Sequence, residues 1–345
     1  MSLMQERARV LVVDDSLVMR KILSDILSKD DGLEVVGAAR NGKEALRLVR
    51  SLDPDVITMD IEMPEMDGME ALHRIMQYEP RPVVMLSAVG KHQADVTMKA
   101  MDAGAVDFIA KTSGSLSLDI ETSSLEIVQK VKAASKVKVS KVQPRRPEVQ
   151  RWRLPDPVDD EKLVMIGSST GGPKVLPEVM SRLPENLPAA LLLVQHMPEG
   201  FTKSFAEHLD AISALEVREA TDGESIKAGV ALVAKGNMHL VVEGRKIRLT
   251  NGPKVNFVRP AVDPLMKSGA YAYGRNSVGV ILTGIGNDGT EGMQAVKQAG
   301  GRTIAQNEET CVVFGMPRAA IEAGAADKVV PVDRIASEVV AAVQT

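Results

Sequence analysis

Leu163-Val164-Met165-Ile166-Gly167-Ser168-Ser169-Thr170-Gly171-Gly172 is a short apolar run that ends in a turn of small residues. A segment with helical spacing opens right after it, at Pro173. Strand, sharp turn and helix in that order place one hydroxyl at the edge of a sheet. Gly167-x-Ser169-x-Gly171 fits the nucleophile turn, in which small flanking residues let the backbone bend tightly and present the Ser oxygen. N–H groups at the start of the following helix would face negative charge developing there. Taken alone, the motif fits a glycine-rich phosphate turn or a plain strand-helix connection at least as well.

A nucleophilic Ser needs a base, and the base needs an orienting group. The run Ala190-Leu191-Leu192-Leu193-Val194-Gln195 reads as a second strand with His196 at its end. Val278-Gly279-Val280-Ile281-Leu282-Thr283 reads as a third, followed by Gly284-Ile285-Gly286-Asn287-Asp288-Gly289. Ser169, His196 and Asp288 therefore all follow the carboxyl ends of buried strands, which line one crevice in an open α/β sheet. Their chain order differs from the Ser, Asp, His order of α/β-hydrolases. Ser168 is a rival nucleophile, and His239, which opens a hairpin signal running to Leu249, is a rival base. His73, His92 and His208 fall within helical patterns and read as surface residues.

The first half alternates in the same way. Val10–Val13, Leu33–Gly37, Val56–Met59, Val83–Leu86 and Ala105–Ile109 read as strands. Amphipathic stretches begin near Leu17, Lys43, Met69 and Gln93, and a last one runs from Leu125 to Ala134. Repeated βα units with nearly all-apolar strands predict a doubly wound parallel sheet. Asp14 and Asp15 end the first strand and Asp60 the third. Ser87 ends the fourth, and Lys111 follows the fifth. Converging carboxylates repel one another unless a cation sits among them, and a hard-oxygen cleft suits Mg²⁺. Asp60 is the natural nucleophile for an acyl phosphate, with Lys111 and Ser87 placed for its oxygens. An acidic loop cluster at a sheet edge is the bland alternative.

The fold class is thus α/β, with two doubly wound parallel-sheet domains. The expected division is 7–134, a linker over 135–160, and 161–345 with a β-hairpin. The linker carries Pro144, Pro147, Pro155 and Pro157 among Lys and Arg residues, and reads as a solvated spacer or a docking segment for an acidic partner. In the 345-residue chain, apolar residues make up 44% and charged residues 26%, which suits ordinary globular domains. A net charge of −4 leaves no electrostatic footprint for nucleic acid. No apolar run approaches the ~18 residues of a membrane span, and the N-terminus reads without a secretion signal. The lone Cys311 fits a reducing cytoplasm.

Val12-Val13-Asp14-Asp15-Ser16, Met59-Asp60-Ile61-Glu62-Met63-Pro64-x-x-Asp67-Gly68, Ser87-Ala88 and Phe108-x-x-Lys111 resemble the receiver domain of two-component response regulators. That resemblance implies a flavodoxin-like fold and phosphorylation of Asp60 by a histidine kinase. It implies Mg²⁺ held by Asp14, Asp15, Asp60 and Glu62, the last through its carbonyl, and a switch in which Ser87 and Phe108 move together. Thr112 stands where many receivers have Pro. The second half carries Ile166-Gly167-Ser168-Ser169-Thr170-Gly171-Gly172-Pro173, Gln195-His196-Met197-Pro198-x-Gly200-Phe201-Thr202, Arg259-Pro260-x-Val262-Asp263 and Leu282-Thr283-Gly284-x-Gly286-x-Asp288-Gly289. With the receiver in front, the chain resembles the chemotaxis protein-glutamate methylesterases of the CheB family.

The resemblance implies a Rossmann-like catalytic domain that needs no cofactor. Ser169 would be the nucleophile, His196 the base and Asp288 the orienter, with an oxyanion hole from backbone amides near Thr170, His196 and Ile285. It implies a cytoplasmic serine carboxylic-ester hydrolase that removes glutamate γ-methyl esters from chemoreceptors and deamidates glutamines there. It also implies a monomer whose unphosphorylated receiver hinders access to the site. Composition and spacing do not name those substrates. A receiver-driven transcription factor would need a short basic output domain, which this chain lacks. A phosphorylation-controlled scaffold without catalysis is the remaining rival.

Overall fold

The computed structural model describes residues 7–111, 120–139 and 162–344. Thr112 and most of the expected 135–160 linker lie outside the described residues. The chain divides into two compact units, Met1–Arg145 and Arg146–Thr345.

In the first unit the elements run β1 (Ala8–Val13), α1 (Leu17–Ser28), β2 (Leu33–Ala39), α2 (Gly42–Leu52), β3 (Val56–Asp60), α3 (Gly68–Tyr78), β4 (Val83–Ala88), α4 (Lys91–Asp102), β5 (Asp107–Lys111) and α5 (Ile120–Ser135). All strands are parallel, in the order β2-β1-β3-β4-β5. Val10 to Val13, Ile57, Met59 and Val83 to Leu86 are buried, as a sheet covered on both faces requires. Ser16, Asn41 and Asp67 each accept a backbone N–H from three residues on and so cap α1, α2 and α3. Each such cap stabilises its helix by about 1 kcal/mol. Helix α5 starts at Ile120 rather than Leu125. Thr122, Ser123 and Ser124 favour turns and so hide the first helical turn from a periodicity reading.

The second unit runs β6 (Lys162–Ser168), α6 (Gly172–Met180), β7 (Ala189–Gln195), α7 (Thr202–Ile212), β8 (Glu216–Glu219), β9 (Val230–Val233), β10 (His239–Glu243), β11 (Lys246–Thr250), α8 (Val262–Tyr273), β12 (Ser277–Ile281), α9 (Thr290–Gln298), β13 (Arg302–Gln306), α10 (Met316–Glu322), β14 (Lys328–Val330) and α11 (Val332–Val343). Seven strands form one parallel sheet in the order β14-β13-β12-β6-β7-β9-β8. Strands β10 and β11 pair separately as the expected hairpin. Strand β8 (Glu-Val-Arg-Glu) carries no clear sequence signal, and no helix lies between it and β9. The strand order reverses direction between β6 and β12, so a crevice opens beyond their carboxyl ends. The same reversal lies between β1 and β3 in the first unit.

Candidate functional site

Ser168 pairs in register with Gln195, so Ser169 and His196 leave the sheet side by side. The backbone then bends at Gly171, whose φ of +82° lies in the left-handed region that favours glycine. A Cβ there would also collide with Val312. The Ser169 N–H donates to the Thr283 carbonyl (3.0 Å), and Gly172 N–H donates back to the Ser169 carbonyl (2.8 Å). These bonds tie the turn to the end of β12. The Ser169 hydroxyl is half-buried and makes no hydrogen bond among the described residues. Ser168 is fully buried, and its hydroxyl donates to Gln195 Oε1 (2.7 Å). It faces inward and is already committed.

His196 Nε2 lies 2.7 Å from Asp288 Oδ2. Asp288 is almost fully buried, yet both its oxygens are satisfied. Oδ2 also accepts from Val262 N–H (2.6 Å), and Oδ1 accepts from Asn256 Nδ2 (3.0 Å) and Asp263 N–H (3.2 Å). Burial pushes this carboxyl up, but the His196 partner and the Val262 and Asn256 donors outweigh it and hold the group below its ordinary value. Pairing through Nε2 leaves Nδ1 as the nitrogen free to take a proton. That is the reverse of the chymotrypsin arrangement, in which Nδ1 faces the carboxylate. His239 is excluded as base. Its Nδ1 accepts from Ala261 N–H (3.2 Å) and its Nε2 donates to the Pro253 carbonyl (2.9 Å), so both nitrogens are occupied in the interior.

In the first unit, Asp14, Asp15 and Asp60 each place a carboxylate oxygen within 4.8 Å of the others. Arg20 fixes this corner by donating to the carbonyls of Asp14 (2.7 Å) and Asp15 (2.9 Å). Gly68 packs on the Asp60 carbonyl so closely that any Cβ would collide with it. Lys111 Nζ reaches Asp60 Oδ2 (2.6 Å) and Asp14 Oδ2 (2.8 Å). Burial opposes the charge on Lys111, but these two carboxylates outweigh it and raise the amine above its ordinary value. Burial also raises Asp60, and Lys111 offsets only part of that. Three hard oxygen donors, one of them (Asp15) exposed, are a donor set that suits Mg²⁺.

Residues 164–339 match the CheB methylesterase family, and residues 10–119 match the response regulator receiver domain. A protein-glutamate methylesterase/protein-glutamine glutaminase of Pyrococcus horikoshii is 46% identical, over 100% of this chain and 96% of its own. One of the same name from Symbiobacterium thermophilum is also 46% identical, over 98% of each chain. The crystal structure of the Thermotoga maritima CheB methylesterase catalytic domain is 48% identical, with a TM-score of 0.51, covering 52% of this chain and 97% of that one. The chain belongs to the CheB methylesterase family. Its two parallel sheets are the receiver and methylesterase folds expected from the sequence, and its class is that of a receiver-bearing ester hydrolase.

Several placements in this CheB-family chain differ from a simple transfer of motifs. The His196 N–H donates to the Ser168 carbonyl (3.0 Å), extending the β6–β7 ladder, so it drops out of the expected oxyanion set. The N–H groups of Thr170 and Ile285 donate no hydrogen bond among the described residues. The Glu62 side chain is exposed and turns to Gln93 Nε2 (3.4 Å), away from the three aspartates. Ser87 faces α4, where it accepts from Thr97 Oγ1 (2.8 Å). Phe108 is already buried, and Lys130 Nζ bonds its carbonyl (2.7 Å) and lies 5.3 Å from its ring centre.

Four residues have roles that the motif reading left unassigned. Gln195 Nε2 donates to the carbonyls of Ser169 (2.9 Å) and His196 (3.1 Å), bolting the two turns together. Thr283 Oγ1 donates to the Thr170 carbonyl (2.9 Å) and accepts from Val313 N–H (2.9 Å). Asn256 bridges Asp288 and Asp263, and Asp263 in turn accepts Gly292 N–H (2.7 Å) at the start of α9. Gln195 and Thr283 do leave a trace: each is a polar residue at the end of an all-apolar run. Asn256 leaves none, because its role depends on a loop that is far from Asp288 in sequence.

Proposed function

We propose that the chain is a phosphorylation-regulated protein-glutamate methylesterase acting through Ser169, His196 and Asp288. The observation that carries this is the buried, four-fold hydrogen-bonded Asp288 on His196 Nε2, beside a half-buried, unpaired Ser169 hydroxyl. Ser169 Oγ attacks the γ-carbonyl of a methyl-esterified glutamate while His196 Nδ1 takes its proton. The developing oxyanion is held by the N–H groups of Thr170 and Ile285. His196 then gives the proton to the leaving methoxide, and methanol departs. Water attacks the acyl-enzyme with His196 again as base, releasing the glutamate carboxylate and restoring the serine. Asp288 keeps the imidazole in the Nδ1-accepting tautomer and stabilises its cation. The same steps with ammonia as leaving group deamidate glutamine.

The receiver would be phosphorylated on Asp60 by a histidine kinase. Asp14, Asp15 and Asp60, with the Glu62 carbonyl, would hold Mg²⁺, which when bound neutralises carboxylate and phosphoryl charge. Asp60 supplies the attacking oxygen and Lys111 pairs with the phosphoryl group. Ser87 exchanges its α4 contact for a phosphoryl oxygen, and Phe108 responds. The substrates we assign are the methylated cytoplasmic helices of chemoreceptors, met by a cytoplasmic monomer. The absence, among the described residues, of any helix long and apolar enough to cross a membrane supports that setting. The test is methanol release from a methylated receptor fragment. Wild type and Ser168→Ala should release it and Ser169→Ala should not. A dead Ser168→Ala beside an active Ser169→Ala would overturn the assignment.

A further inference from the structure

The segment that supplies Asn256 to the triad carries a residue that the catalytic role of Asn256 does not explain. Val255 and Val258 exchange N–H···O bonds (3.2 and 3.0 Å), closing a two-residue turn with Asn256 and Phe257 at its tip. Asn256 (φ 51°) and Phe257 (φ 65°) both lie in the left-handed region. This is the turn type that favours Asn followed by Gly. Phe is among the residues least suited to the second position, since its Cβ meets its own backbone there. Packing does not account for the choice either, because Phe257 is 87% exposed. The stem is meanwhile held firmly. Arg259 donates to Asn237 Oδ1 (2.7 Å) and to the carbonyls of Asn251 (2.8 Å) and Gly252 (2.6 Å). The left-handed backbone at a bulky Phe is the cost here, and such outliers are retained where they serve function.

Its position says which function. Asn256 Nδ2 is 3.0 Å from Asp288 Oδ1, and Phe257 is the next residue, one peptide unit of ~3.8 Å further along. An exposed ring thus sits one residue from the side chain that braces Asp288. We infer that Phe257 is a substrate-docking residue that packs on an apolar side chain of the polypeptide flanking the esterified glutamate. This rests on the esterase reading above and adds to it a source of selectivity for protein-borne esters over free ones. A small glutamyl ester carries no flanking side chain for the ring to pack on.

The test compares wild type, Phe257→Ala, Phe257→Asn and Phe257→Trp on two substrates. One is a methyl-esterified receptor cytoplasmic fragment, and the other is N-acetylglutamate γ-methyl ester. Asn suits the left-handed backbone, so that variant removes the ring without adding strain. The ratio of kcat/KM on the fragment to kcat/KM on the small ester should fall about 10-fold in the Ala and Asn variants, through KM, as loss of partial burial of a phenyl ring predicts. Trp should restore it. A wild-type ratio in both variants overturns the inference. So does an equal loss on both substrates, which would make the turn a support for Asn256 only, or a change confined to self-association. If wild type hydrolyses neither ester, the esterase reading itself fails. Fragment affinity in Ser169→Ala, with and without Phe257→Asn, then decides the docking role alone: a drop of about 10-fold sustains it, and equal affinities overturn it.

Discussion

The two units of this chain place a buried carboxylate at the same topological point and then treat it in opposite ways. Asp60 ends β3 and Asp288 follows β12, each beside a reversal of strand order. Both are buried, and burial alone raises both. Asp60 has Lys111 as its main counterweight, faces Asp14 across the cleft, and ends above its ordinary value. Asp288 has His196, Asn256 and two backbone N–H groups, and ends below it. Donor count, rather than burial, separates the two outcomes. An under-compensated carboxylate calls for a cation and a phosphoryl group. A fully compensated one is a fixed anion suited to holding an imidazole. One sheet architecture therefore sets two carboxylates differently, and the difference lies in the donors around each.

The sharpest way to break this comparison is to remove the reacting groups one at a time. Ser169→Ala should lower methanol release by a factor on the order of 10⁶, and Asp288→Ala by about 10⁴, the scale seen when triad members are removed. Neither should change labelling of Asp60 by an acyl phosphate. Chelation or Asp60→Asn should give the mirror result, abolishing the label while leaving basal methanol release intact. Label that persists in Asp60→Asn, or in excess chelator, would show that the acidic cluster does not do what its donor set implies.

A smaller effect tests whether the two sites are linked at all. We propose that phosphorylation of Asp60 raises the esterase activity. A coupling of ~1–3 kcal/mol corresponds to activation of roughly 5- to 150-fold. Acetyl phosphate with Mg²⁺ should produce it in the full chain and fail to do so in Asp60→Asn. Identical methanol release by treated and untreated wild type would separate the two chemistries entirely.

How much of this was legible in the sequence depends on where each contribution comes from. The parallel sheets were, because a short all-apolar run such as Leu191 to Val194 suits a strand with helices on both faces. Asp14, Asp60, Lys111, Ser169, His196 and Asp288 were, because each stands just beyond such a run, where a doubly wound sheet gathers its ends. Strand β8 was not, because Glu216, Arg218 and Glu219 leave Val217 as its only apolar residue. The oxyanion donors were only partly legible. An amide's availability depends on the sheet ladder, and β6–β7 pairing claims that of His196. Asn256, Gln195 and the inward turn of Ser168 depend on distances between segments, which no local pattern encodes.

The finest test of the comparison is Asn256→Ala, which moves Asp288 toward the condition of Asp60. The Asn256 amide donates to Asp288 Oδ1 and to Asp263 Oδ2 (2.9 Å), and so stands between two buried carboxylates. Burial, and after it the charge of Asp288, already raise Asp263, although Gly292 N–H and Asn256 pull it down. Without Asn256 both carboxylates shift upward. Asp288 is below its unfolded value, so its ionisation favours the fold. That contribution is complete above the ordinary carboxylate range near pH 4 and is lost as pH falls through the folded value. Asp263 is above its unfolded value, so stability is lost as pH rises from the unfolded value near 4 towards the folded value, and the loss is complete above it. Removing the shared donor weakens the first contribution and enlarges the second. The variant should lose about 1–3 kcal/mol of stability at neutral pH, as expected for an unsatisfied buried acceptor. Its acid-unfolding transition should move to higher pH. The kcat should fall about 10-fold with little change in KM, because a less firmly held Asp288 aligns His196 less well; the lower end of a charged hydrogen bond corresponds to that factor. A wild-type acid limb and kcat together would mean that the N–H groups of Val262 and Asp263 compensate Asp288 unaided, and that its contrast with Asp60 does not depend on Asn256.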